Sequence, residues 1–97
     1  MGPPSIVELL ANPVAIAKLG ARGISLAEAR QLPRNAYVVV RNPTGSNVTE
    51  RRLLVGRTDG GRALTLVIER TLNDDAWMIV TGWRSTIRER RLNWRRS

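Results

Sequence analysis

From residue 36 onward the chain alternates, and this limits its fold more than any other feature. In Arg62-Ala-Leu-Thr-Leu-Val-Ile-Glu-Arg70, the residues Leu64, Leu66 and Ile68 fall on one side. A period of two belongs to a strand with one buried face. Ala36-Tyr-Val-Val-Val-Arg41 is β-branched and stops at Asn-Pro, so it reads as an earlier strand. Thr49 to Arg57 and Ala76 to Gly82 supply two more. Asp59-Gly60-Gly61 is a hairpin signal between the second and third strands. Asn42 to Asn47 and Leu72 to Asp75 are turn-rich, and turn chemistry is the better reading of the Asp74-Asp75 pair.

Upstream of residue 36 the signals are those of short capped helices. Ser5-Ile-Val-Glu8 has capping-box spacing and predicts a helix to Ala11, with a strand over Ile6–Leu10 as the rival reading. Asn12-Pro13 is an N-cap followed by Pro at the first helical position. Val14, Ile16, Ala17 and Leu19 continue that helix, and Gly20 or Gly23 ends it. Ser25-Leu-Ala-Glu28 is a second capping box, opening a helix that ends near Leu32, before Pro33. Thr86-Ile-Arg-Glu89 is a third box and opens a C-terminal helix. The order predicts an α+β fold: two or three short N-terminal helices, a four-stranded antiparallel meander sheet and a C-terminal helix. The helices are expected on one face, with the other partly open.

The chain has 97 residues, and Phe is absent, so Val, Leu and Ile must fill the core. Residues 1–97 are expected to form a single domain, with residues 1–4 disordered. The absence of Cys and His excludes disulfides, a Cys nucleophile, a His-based acid/base pair and a His-containing zinc site. No apolar run reaches the ~18 residues of a membrane span. No leader pattern is seen at the start, and a cytoplasmic location is expected.

The formal net charge is +8 and the pI about 11.7. Such a field favours polyanions, including nucleic acid or an acidic protein segment. Lys18 is the only lysine; arginine carries the rest of the positive charge and grips phosphate with a planar fork. GC-rich coding accounts equally well for arginine in place of lysine, but not for the net charge. The charge is densest in Thr81-Gly-Trp-Arg-Ser-Thr-Ile-Arg-Glu-Arg-Arg-Leu-Asn-Trp94. A solvated helix and a phosphate-holding surface both fit that run. Trp83 and Trp94 fit packing or base stacking.

The order of short motifs resembles the BrnT-type toxins of bacterial toxin–antitoxin pairs, which belong with the RelE-like ribonucleases. The matching pieces are Asn12-Pro13, Arg22-Gly-Ile-Ser25, Ala27-Glu-Ala29, Glu50-Arg51, Leu53-Leu-Val-Gly56, Gly61-Arg-Ala-Leu64, Val80-Thr-Gly-Trp-Arg84, Ser85-Thr86, Glu89-Arg90 and Trp94. They span roughly residues 12–94. Arg22 stands where the family carries His.

The resemblance implies a ribonuclease toxin that cleaves RNA without metal or other cofactor, the RNA's own 2′-hydroxyl attacking the adjacent phosphate. It implies an RNA substrate, ribosome-associated in some relatives, and a cognate antitoxin as partner. On this reading Arg62, at a hairpin, and Arg84, at a strand end, converge over one sheet edge and stabilise the phosphate. Glu50 is the proton-transfer candidate, with Glu89 and Tyr37 as rivals. Arg51 and Arg57 line the same groove, and Arg88, Arg91 and Trp83 extend the RNA-binding surface. The alternative is a non-catalytic nucleic-acid-binding or protein-interaction module with the same basic face.

Overall fold

The computed structural model describes residues 6–41 and 51–96, with side chains as far as Leu92. The elements are β1 (Glu8–Leu10), α1 (Pro13–Ala21), α2 (Leu26–Ala29), one 3-10 turn (Leu32–Arg34), β2 (Tyr37–Arg41), β3 (Arg51–Arg57), β4 (Ala63–Arg70), β5 (Ala76–Arg84) and α3 (Ile87–Arg96). The class is α+β, as alternation and capping predict. The sheet has five strands rather than four, in the order β1-β5-β4-β3-β2. It is mixed: β2 to β5 form the expected antiparallel meander, while β1 lies parallel to β5.

β1 is the largest correction to the sequence reading. Glu8–Leu10 is a strand, the rival reading of this segment, and not part of the capped helix that Ser5 and Glu8 favour. Six residues are too few to offset helix nucleation. As a strand the segment buries Ile6 and Leu9 and pairs with Ala76 to Met78. The N–H groups of Val7 and Glu8 both reach the Asp75 carbonyl, at 2.9 and 3.2 Å.

The other caps form as the sequence predicts. Asn12 Oδ1 accepts the Ala15 N–H at 2.9 Å, and both halves of the Ser25–Glu28 box are present. α1 ends in a Schellman motif. The Ile24 N–H bonds to the Leu19 carbonyl and the Gly23 N–H to that of Gly20. Gly23 supplies the left-handed φ of +72°, and Leu19 and Ile24 bury the accompanying apolar contact. α2 is only four residues long. Pro33 does not end a long helix; it sits inside the 3-10 turn that follows.

β4 divides the molecule into two layers. Leu64, Leu66 and Ile68 join Leu9, Ala15, Leu19, Ala29 and Leu32 in the main core, on the face that carries α1 and α2. Thr65 and Val67 point the other way. Thr65 Oγ1 donates to Glu89 Oε1 at 3.0 Å, which puts α3 on that second face. There α3 packs over β3 and β2, so helices cover both faces and not one. The second-face side chains of β4 and β5 extend beyond it.

A register irregularity shapes β5. Thr81 pairs with Val67 and Ile79 with Ile68, leaving Val80 as an extra residue. Such a bulge switches the parity of the strand. Trp77 and Ile79 face the main core upstream; downstream, Gly82 and Arg84 take that face, opposite Leu66 and Leu64. α1 packs against β5, and Gly82 is where it comes closest. A Cβ on Gly82 would stand 2.6 Å from Leu66 Cδ2 and 3.0 Å from both Leu19 Cδ2 and the Thr65 carbonyl oxygen. Leu19 and Leu66 are fully buried and have nowhere to move. Gly82→Ala is therefore expected to destabilise by ~1–3 kcal/mol, the usual cost of overpacking a filled core. Urea denaturation measures this, and an unchanged midpoint would mean that α1 can shift off the strand freely.

Candidate functional site

The Arg84 end of β5 meets the turn between α1 and α2, and several cations gather at this corner. Arg84 pairs with Leu64 in the sheet, so it lies on the α1/α2 face and flanks the position of Arg62. The register thus brings Arg62 and Arg84 onto one face at one end. Their environments differ. Arg62 Nη1 lies 3.1 Å from both carboxylate oxygens of Glu28 and 2.9 Å from the Gly23 carbonyl oxygen. Its guanidinium ties the β3–β4 hairpin to the start of α2. Arg84 is exposed and makes no ion pair among the described residues.

Trp83 lies on the opposite face from Arg84, because it pairs with Thr65. It is half-buried, and its indole Nε1 donates to Glu89 Oε1 at 3.1 Å. The same oxygen accepts the Thr86 N–H at 2.8 Å and the Thr65 hydroxyl at 3.0 Å. Thr65 Oγ1 also lies 2.9 Å from Ser85 Oγ. Glu89 therefore closes the capping box of α3 and joins that helix to β4 and β5. The Arg22 guanidinium stands over the Trp83 ring, 6.0 Å from its centroid, within reach of a cation–π contact.

The remaining predicted residues do not share one groove. Arg51 and Arg57 are both on the second face, but at opposite ends of β3, about 20 Å apart at 3.4 Å per residue. Arg51 is paired with Glu69 at 3.4 Å. Arg57 is exposed and donates to the Gly61 carbonyl. Arg88 and Arg91 are exposed on α3. Glu50 and the side chain of Trp94 lie outside the described residues. Tyr37 packs at the margin of the main core, the structural role its strand position favours. Arg22 entered the sequence reading only as a family substitution; its signal is position, at the cap of a helix that ends beside β5.

α1 also forms one wall of a groove beside β5 whose lining draws on both faces of the sheet. The groove has a volume of about 180 Å³ and is lined by Asn12, Val14, Ala15 and Lys18 from α1 and its cap, by Met78, Ile79 and Val80 of β5, and by the Arg51–Glu69 pair. Lys18 is exposed and has no acidic partner among the described residues.

No protein-family model matches the sequence, and no curated protein matches it. The fold does have a solved counterpart. The chain is similar to the Brucella abortus ribonuclease toxin BrnT, known from a 1.1 Å crystal structure, with a TM-score of 0.60 at 10% identity. The match covers 81% of this chain and 96% of the toxin. The chain therefore shares the fold of that protein.

The Glu28 carboxyl is held below its ordinary value of 4.5, first by the Ser25 backbone N–H and then by the Arg62 guanidinium. A carboxyl whose pKa is depressed on folding stabilises the protein fully above its unfolded pKa. That contribution is lost as pH falls through the depressed value. Glu28→Gln is expected to lower the melting temperature at neutral pH, and the gap from the parent should close below the ordinary carboxylate range. A gap that stays constant into acid would show that the Glu28 charge is not what Arg62 holds.

Proposed function

We propose that the protein is a metal-independent endoribonuclease acting as the toxin of a toxin–antitoxin pair. The observation that carries this reading is the match to a ribonuclease toxin over nearly all of that toxin's length. Its fold is reproduced here with an exposed arginine, Arg84, at a sheet end. The net charge of +8 gives the surface its affinity for a polyanion.

In the proposed reaction the 2′-oxygen of one nucleotide bonds to the adjacent phosphorus and the P–O5′ bond breaks. A base takes the 2′ proton and the leaving 5′-oxygen gains one. The products end in a 2′,3′-cyclic phosphate and a 5′-hydroxyl. Arg84 is the group proposed to hold the phosphate as its charge grows, because its guanidinium has no ion-pair partner among the described residues. Arg62 is proposed to position the α1–α2 turn through Glu28 and Gly23, keeping Arg22 beside the corner. Glu50 remains the proposed proton acceptor, on the family likeness alone. Arg57, Arg88, Arg91 and Trp83 are proposed to bind RNA around this corner, and Arg51 at the far end of β3. An antitoxin with an acidic segment would complement the same surface.

The test is cleavage of bulk RNA in excess chelator, with the end groups of the products identified. Arg84→Ala should lower the rate by ~10²–10³, the loss seen when one preorganised charge-stabilising group is removed. Its melting temperature should match the parent, since the side chain is exposed. Arg62→Ala should instead lose activity and stability together. RNA binding by the parent with no cleavage in chelator would replace the enzyme with a non-catalytic binding module.

A further inference from the structure

Lys18 and Arg22 follow Val14 at four-residue steps, so the three share one side of α1. Successive members are separated by about 6 Å of helix rise. Val14 and Lys18 line the groove, with Met78 and Val80 of β5 and the Arg51–Glu69 pair alongside. Arg22 lies one turn beyond Lys18, outside that lining, where its guanidinium stands over Trp83. We propose that the groove is the track of a single RNA strand, with Lys18 and Arg22 on successive backbone phosphates and an unpaired base stacked against Trp83. This proposal rests on the ribonuclease reading and extends it from the reacting phosphate to the strand that leads there.

Three features favour a single strand. First, the two cations lack carboxylate partners among the described residues, whereas the nearby Arg51 is paired with Glu69 at 3.4 Å. That pairing leaves the acidic side chain in the groove neutralised. Second, the Trp83 ring is half-buried and held at its edge by the bond from Nε1 to Glu89 Oε1. A fixed ring with a guanidinium over it at 6.0 Å is a stacking platform, and a base adds to such a stack. A duplex keeps its base faces covered and offers nothing for this ring to receive. Third, the walls combine cations with the apolar side chains of Val14, Met78 and Val80. That mixture suits a backbone on one side and bases on the other. Glu89 acts as a positioning residue, because it fixes the plane of the ring without facing the groove.

The test measures anisotropy of a short, end-labelled single-stranded RNA carrying 2′-O-methyl groups, which cannot be cleaved, over a series of salt concentrations. Its duplex form is run in parallel. Lys18→Gln and Arg22→Gln should each reduce the slope of log affinity against log salt by ~0.7, the increment for one phosphate contact on a single strand. In a Trp94→Phe background, RNA should change the tryptophan emission, and Trp83→Phe should remove the change, because Trp77 is fully buried. Glu89→Gln should weaken the emission response more than the affinity. Circular dichroism confirms the fold of each variant. If the parent binds and the Lys18→Gln/Arg22→Gln double variant keeps both affinity and slope, the track is wrong and the ribonuclease reading survives. If the parent binds no RNA, both fall. If polyglutamate binds through Lys18 and Arg22 while RNA does not, the groove belongs to an acidic protein partner and the proposal is overturned.

Discussion

The contact between Leu19, Gly82 and Leu66 seats α1 against β5, and much of the rest follows from it. A side chain at residue 82 would meet atoms at 2.6 to 3.0 Å, so the helix can come this close only over glycine. With Leu19 fixed there, the Schellman turn places Ile24 in the core and directs Arg22 toward Trp83. The same turn presents the Gly23 carbonyl to Arg62. Lys18 then has no freedom of location. It lies one turn before Arg22, on the side of the helix that borders the groove. Apolar packing at one point thus decides where the cations of α1 stand.

The second anchor is polar. Glu89 Oε1 collects hydrogen bonds from Thr86, Thr65 and Trp83, which come from the cap of α3, from β4 and from β5. A carboxylate at this junction satisfies a free helix N–H and two side-chain donors at once. It also fixes the direction in which α3 leaves the sheet, over β3 and β2. Side chains of β4 and β5 beyond it, with the wall supplied by α1, line the groove. The two anchors lie on opposite faces of the same short stretch of strand, since Trp83 and Gly82 are neighbours in sequence.

Local signals in the sequence carry local structure here. The Asn12 cap, the boxes at Ser25–Glu28 and Thr86–Glu89, and the alternation of Leu64, Leu66 and Ile68 all read directly into elements. The misreadings share one cause: the deciding partner is far away in sequence. Residues 6–11 look like a capped helix until Ala76–Met78 offer a strand to pair with. The bulge at Val80 leaves no mark in a strand with apolar residues at most positions. Yet it decides which face Trp83 takes and which Arg84 takes. Arg62 reads as a free cation at a hairpin because Glu28, its partner, is thirty-four residues away. For the candidate site, the sequence named Arg84 and Trp83 and missed Lys18 and Arg22, whose significance comes from α1 lying along β5.

A chain with this excess of arginine has too few carboxylates to neutralise it, so the fold must choose which cations to pair. Among the paired ones are Arg34 with Asp59, Arg51 with Glu69 and Arg62 with Glu28. Each joins segments distant in sequence: the 3-10 turn to the β3–β4 turn, β3 to β4, and the hairpin to α2. These pairs are partly or largely exposed, so each contributes modestly to stability. Their stronger effect is geometric, since a forked guanidinium held by a carboxylate fixes the loop that bears it. Arg84, Lys18 and Arg22 have no such carboxylate among the described residues and stand on elements already fixed by apolar packing. Rigid support with an uncommitted charge is the combination that phosphate recognition needs, because ordering the side chain is then the main remaining entropy cost. The exposed arginines of α3 have the charge without comparable packing around them. They add to the long-range field that would draw in a polyanion, while under the proposed reading placement of the strand falls to the residues held between α1 and β5.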